Sequence, residues 1–173
     1  VPKLTDANTT ITKSPNDWTT QEVTATVTTT EKNYALQTKK DNGEWQTTNT
    51  QKFTENGTIY ARLWDGTNAG EEIYKTITNI DKTAPTATNI EIKNVTPAGY
   101  DVYVYGVKDN GSGVNRVQFP TWTEAKGQDD IQLNWQTGAS SKGTKQSDGT
   151  TWVYHVNITD HKTEAGEYNT HIY

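Results

Sequence analysis

The stretch FPTWTEAKGQDDIQLNW, Phe119 to Trp135, gathers the residue types of a sugar-cleaving site: Glu124, the adjacent Asp129 and Asp130, and two indoles, Trp122 and Trp135. In such a site one carboxylic acid protonates the leaving oxygen, a second carboxylate attacks or activates water, and aromatic rings stack on the pyranose. The two carboxylates must face each other across a cleft. Neighbours on a strand point to opposite faces, so Asp129 and Asp130 do not make that pair if the stretch is extended. The competing reading is scaffold, with Trp122 and Trp135 as packing residues and Gly127 to Asp130 as a turn whose carboxylates accept backbone N–H groups.

Other chemistries find less support. The chain has no Cys, which excludes disulfides, thiol nucleophiles and thiolate metal sites. No Ser sits in a G-x-S-x-G elbow, so a hydrolytic triad lacks its anchor. Three histidines, His155, His161 and His171, could in principle gather zinc, but His155 and His171 are expected on strands of different sheets. No catalytic residue and no cofactor is therefore assigned, and the chain is read as non-enzymatic. Calcium is the one metal with candidate ligands: Asp81 in NIDKTAP and Asp109 in KDNGSG, beside Asn110 and Ser112. An Asx-turn with glycines explains the second motif equally well.

The elements that would carry these residues are strands. At 173 residues, with 31% hydrophobic residues and a mean hydropathy of -0.90, the composition suits two small cores better than one large one. Abundant Thr with 9 Tyr, 6 Trp and only 2 Phe is the palette of sheets with one wet face. A net charge of -5 and a pI near 5.2, without a basic cluster, argue against nucleic-acid and anionic-membrane partners. No apolar run approaches a membrane span, and VPKLTDANTT lacks the regions of a signal peptide. The expectation is a soluble piece of something longer.

Period-two segments alternate with turn signals throughout. QEVTATVTTT sets Val23, Ala25 and Val27 on one face against Thr on the other; DNGEW carries a hairpin Asn-Gly; GTIYARLWD sets Ile59, Ala61 and Leu63 against Tyr60, Arg62 and Trp64. With EEIYKTITNI this gives about seven strands over the first 80 residues, the size of one immunoglobulin-like sandwich. A boundary follows at NIDKTAPTATNI, where Pro85 removes a ladder donor. The pattern then restarts. YDVYVYGV alternates Val102 and Val104 with Tyr103 and Tyr105, and NRVQF buries Val117 and Phe119. DIQLNW offers Ile131, Leu133 and Trp135 to one face; TTWVYHVNI offers Trp152, Tyr154, Val156 and Ile158; GEYNTHIY offers Tyr168, Thr170 and Ile172. EAGEY has the spacing of a tyrosine corner. The fold class is all-β: two tandem immunoglobulin-like sandwiches, 1–84 and 85–173.

NDWTTQEVTATV, DNGEW, NGTIYARLWD and ITNIDKTAPT together resemble the bacterial Ig-like repeats of Gram-positive surface proteins, over about residues 9 to 86. YDVYVYGV, GVNRVQFPTWTEAKGQDDI and DHKTEAGEYNTHIY resemble the group B streptococcal (GBS) Bsp-like repeat, found in surface proteins and cell-wall hydrolases. The second resemblance implies a non-catalytic accessory domain. Together they imply an exported, extracellular module at the cell surface or wall, acting as stalk and as adhesive or wall-binding domain. The alternative is the accessory region of a peptidoglycan hydrolase whose catalytic domain lies outside these residues. The partners implied are peptidoglycan or another wall glycan, or a host or matrix ligand, with neighbouring domains of a longer chain. A Cys-free, Met-free composition suits that exposed setting.

Two outer strips are candidate ligand surfaces. If strand B pairs with E, Tyr103 and Tyr105 stand beside His155; if C pairs with F, Arg116 and Gln118 stand beside His171 and Tyr173. The last strand, ending at Tyr173, is expected to be F, with its edge open to strand addition. Lys, Asn and Thr abound, so an intramolecular isopeptide or ester cross-link stays open.

Overall fold

Valines and isoleucines that recur every second residue need a shared interior, and the chain builds two. A computed structural model describes residues 1–173 as antiparallel strands with three single-turn 3-10 helices. The residues divide into two compact units, 1–82 and 83–173.

The first unit holds β1 (Thr9–Ser14), β2 (Val23–Thr29), β3 (Ala35–Lys40), β4 (Thr50–Phe53), β5 (Gly57–Trp64) and β6 (Ile73–Ile77). The sheet β1-β2-β4 faces the sheet β3-β5-β6. There are six strands rather than about seven, because Asp41 to Asn49 is mostly spent in turns, with Asp41 at a φ of 51°. Val23, Ala25 and Val27 of β2 and Ile59, Ala61 and Leu63 of β5 are buried to 1% exposure or less, with Leu4, Phe53 and Ile77. Burial of each larger side chain contributes about 1.5–3 kcal/mol. On the outer face of β5 the Arg62 guanidinium lies 4.1 Å from the centre of the Trp45 ring.

The second unit holds β7 (Asn89–Thr96), β8 (Gly99–Tyr105), β9 (Thr121–Thr123), β10 (Thr144–Lys145), β11 (Trp152–Asn157) and β12 (Tyr168–Thr170). One sheet runs β10-β11-β8-β7 and the other is β12-β9. Backbone pairing extends the second sheet, since Gln118 and Tyr173 exchange N–H···O bonds of 2.8 and 3.0 Å. Val102, Val104, Trp152, Tyr154 and Val156 from the first sheet meet Val117 and Phe119 from the second. Phe119 is fully buried and stacks on Tyr154 with ring centres 5.3 Å apart. Gly99 opens β8 where the backbones crowd: a Cβ there would lie 1.9 Å from the Val156 carbonyl oxygen. Only glycine fits.

The tyrosine corner forms as expected, with the Tyr168 hydroxyl donating to the Glu164 carbonyl at 2.7 Å. The strand expected at Ile131, Leu133 and Trp135 does not form. Residues 131–137 are turn-rich, Asn134 has a φ of 55°, and Leu133 is 85% exposed. The cause is a polar pattern that points inward. Asp130 and Gln132 are buried and accept from the backbone N–H groups of Thr123 and Thr121, so the apolar residues between and after them turn away.

Candidate functional site

The opening carboxylates are built into structure. Asp130 is 7% exposed; one of its oxygens accepts from both the N–H and the hydroxyl of Thr123, and the other also accepts from that N–H. His161, fully buried, brings Nδ1 to 3.2 Å from an Asp130 carboxylate oxygen. Asp129 points elsewhere, to Lys162 Nζ at 2.6 Å on the surface. Glu124 accepts from the Asn169 amide. Trp122 is 9% exposed and meets His171 edge-on at 4.8 Å; Trp135 lies 4.9 Å from Tyr173.

The strip of Tyr103, Tyr105 and His155 is assembled by register. β8 pairs β11 with Tyr103 opposite Val153 and Asp101 opposite His155, while β7 sets Glu91 opposite Tyr103 and Lys93 opposite Asp101. Val102 and Val104 are buried, so the odd-numbered residues of β8 occupy the outer face. There the Tyr103 and Tyr105 rings stack at 6.0 Å with a 23° interplanar angle. Lys93 Nζ stands 4.9 Å from the first ring centre and 5.5 Å from the second. Glu91 receives the Tyr105 hydroxyl at 2.9 Å and Lys93 at 2.9 Å. One ring of contacts thus holds two aromatic faces in place.

The charges around the rings are tuned by these contacts. Lys93 is held well above the usual ammonium range by its hydrogen bonds to Tyr105 and Glu91, and Glu91 below the usual carboxylate range by Lys93 and Tyr105. Asp101 is lowered first by the Asn94 amide, at 2.7 Å, and then by His155 Nδ1, at 2.6 Å. The face therefore offers ring surfaces, a fixed cation, two carboxylates and an imidazole within one sheet. Such a set can stack on sugar rings, hydrogen-bond hydroxyls and meet an acidic substituent.

The second strip is assembled only in part. His171 and Tyr173 lie beside each other, 6.3 Å between ring centres, and with Trp122 and Trp135 they make a row of four rings. Gln118 is not on the surface with them. It is 2% exposed, because its amide nitrogen donates to the carbonyls of Trp135 and Gly138 and so ties down the turn-rich segment. Arg116 is exposed and shares with Tyr173 the lining of a small cleft of about 320 Å³. The calcium candidates lie in separate units, Asp81 in the first and Asp109 in the second. Asp109 accepts from the N–H groups of Gly111 and Gly113 at 2.8 and 3.1 Å, the geometry of an Asx-turn.

Tyr-bearing β8, the buried Phe119–Tyr154 pair and the tyrosine corner all fall within one stretch that the comparison with protein families singles out. Residues 89–173 match the family model of the GBS Bsp-like repeat. The matched stretch begins at the first residue of β7 and takes in both outer strips. No curated protein matches the chain. No helix is long and apolar enough to cross a membrane.

Residues that sequence reasoning missed are Glu91, Lys93 and Asp101. The signal was present: NIEIKNV alternates Ile90 and Ile92 with Glu91 and Lys93 as plainly as YDVYVY alternates valine with tyrosine.

Proposed function

We propose that the chain is a non-catalytic tandem Ig-like module of an exported Gram-positive surface protein, and that its GBS Bsp-like repeat holds cell-wall glycan on the Tyr103–Tyr105 face. The observation that carries this reading is the pair of stacked, half-exposed tyrosines bracketed by Lys93, Glu91, Asp101 and His155 on one sheet face. A sheet that merely needed covering could do so with threonines. Here the rings are fixed by a cation and a carboxylate, which lowers the ordering cost of binding.

The first unit serves as spacer and carries no assigned ligand. Peptidoglycan supplies sugar rings for the tyrosines and carboxylates for Lys93. On this reading Asp129 and Asp130 are structural, paired with Lys162 and with Thr123. Retention of the purified chain on insoluble peptidoglycan tests the reading. The chain should sediment with the wall material and be released by soluble muropeptides. A chain that stays in the supernatant at every wall concentration overturns it.

A further inference from the structure

Register also decides the outer face of the sheet β3-β5-β6 in the first unit. Ile59, Ala61 and Leu63 point inward, so Tyr60, Arg62 and Trp64 point out. Lys39 stands opposite Tyr60 on one side and Tyr74 on the other, and Gln37 stands opposite Arg62. None of the three strands contains an Asp or Glu. Trp45 is brought onto the face by the segment 41–49, where Gln46 and Thr38 exchange N–H···O bonds of 2.9 Å.

Cations and rings alternate across this face. Lys39 Nζ stands 4.9 Å from the centre of the Trp45 ring and 5.0 Å from that of Tyr60. The Arg62 guanidinium stands 4.1 Å from Trp45 and 5.6 Å from Trp64. Tyr74, 70% exposed, adds a ring 6.0 Å from Tyr60.

Two cations therefore share one indole, and neither makes an ion pair with a carboxylate. Carboxylates are not scarce, since Asp and Glu number 21 against 16 Lys and Arg. The second unit supplies the contrast: Lys93, placed over Tyr103 and Tyr105, is matched by Glu91 at 2.9 Å. A face that needed only covering would lose its self-repulsion with one carboxylate between the cations. Arg62 donates through Nε to Gln37 at 2.9 Å, and its stack on Trp45 engages the flat of the guanidinium. The terminal N–H groups stay in the plane, where they can fork onto a carboxylate.

We propose that this face of the first unit is a binding site of its own for an acidic glycan, whose carboxylate sits between Arg62 and Lys39 while its sugar rings lie against Trp64, Tyr60 and Tyr74. Tyr60 to Trp64 covers about 13 Å of strand, room for a short oligosaccharide rather than a single sugar. Nucleic acid suits the face less well, because two cations neutralise few phosphates and an acidic chain repels a polyanion charged at every step. A hydroxylated ring with a spaced carboxylate meets both the aromatic surfaces and the unpaired cations. The site is separate from the Tyr103–Tyr105 face and does not rest on it.

The test titrates the 173-residue chain with a hyaluronan hexasaccharide, in which glucuronate alternates with N-acetylglucosamine, and with neutral chitohexaose. Two-dimensional NMR follows the indole N–H signals. The acidic probe should shift those of Trp45 and Trp64 and leave that of Trp152, buried in the second unit, unmoved. Its affinity should exceed that of chitohexaose about fivefold or more and fall as salt rises. Arg62→Gln and Lys39→Gln should each weaken it by about fivefold or more. Lys39→Gln leaves the Arg62–Gln37 hydrogen bond intact, so it reports on binding even where Arg62→Gln lowers the Tm. Tyr103→Ala/Tyr105→Ala should bind the acidic probe as wild type does, whatever becomes of its retention on peptidoglycan. Unmoved Trp45 and Trp64 signals, equal affinity for the neutral probe, or full affinity in both charge variants overturn the proposal. So does an oligothymidylate that shifts the same signals more strongly than the acidic sugar, because the occupant is then nucleic acid.

Discussion

The Lys93 ammonium stands 4.9 Å from the centre of the Tyr103 ring and is held there by Glu91 at 2.9 Å. A cation so placed does two things: it fixes the ring, and it presents positive charge to whatever approaches the ring face. At an exposed site such a contact is weak. Lys93→Ala should therefore change stability little, while weakening retention on peptidoglycan at low ionic strength. The difference from wild type should shrink in high salt, where the charge is screened. A loss of retention independent of salt would mean that Lys93 acts only by holding the ring.

Acid should destabilise the second unit through its paired carboxylates. Asp101 is lowered from 3.8 by Asn94 and His155, Glu91 from 4.5 by Lys93 and Tyr105, and Glu164 from 4.5 by Lys126 and Thr123. Each folded-state value lies below its unfolded one, so each contribution is complete above the unfolded pKa and is lost as pH falls through the folded one. Urea midpoints should be flat with respect to these groups above about pH 5 and fall progressively below it. Asp101→Asn should flatten that acid limb. An unchanged limb would assign the acid sensitivity to other groups.

The tyrosine corner should be worth one hydrogen bond. Tyr168→Phe removes the 2.7 Å bond to the Glu164 carbonyl while keeping the ring that packs against Tyr100 at 5.8 Å. Denaturant unfolding should show a loss of about 0.5–1.5 kcal/mol with an unchanged m-value.

Asp130 should prove structural. Asp130→Ala leaves the Thr123 N–H without its side-chain acceptor and removes the carboxylate beside buried His161. Unsatisfied buried donors of this kind cost about 1–3 kcal/mol each. Asp129→Ala, which removes only a surface pair with Lys162, should cost under about 1 kcal/mol. Equal costs for the two would contradict the division of roles.

The contrast between these neighbours marks where the sequence stops being legible. Alternation such as Val102, Tyr103, Val104, Tyr105 determines both the strand and its inward face, because one face meets apolar side chains and the other water. The Tyr168 spacing likewise determines a turn. DIQLNW has the same alternation and does not form a strand, because Asp130 and Gln132 satisfy backbone groups of β9 that no neighbouring strand reaches. Long-range satisfaction of this kind leaves no local pattern. Gln118 goes inward for the same reason, to cap the carbonyls of Trp135 and Gly138. In the candidate site the tyrosines, His155 and Asp101, which shares the outer face of β8 with the tyrosines, are legible by period, whereas Lys93 and Glu91 join them only through the pairing of β7 with β8.

The most direct measurement is the affinity of wild-type chain and of Tyr103→Ala/Tyr105→Ala for insoluble peptidoglycan, with circular dichroism to show that both are folded. The glycan-binding account predicts a folded variant whose retention drops about fivefold or more, since two stacking rings contribute about 1 kcal/mol or more between them. A folded variant that binds as well as wild type would contradict the account and leave the tyrosines as cover for the sheet.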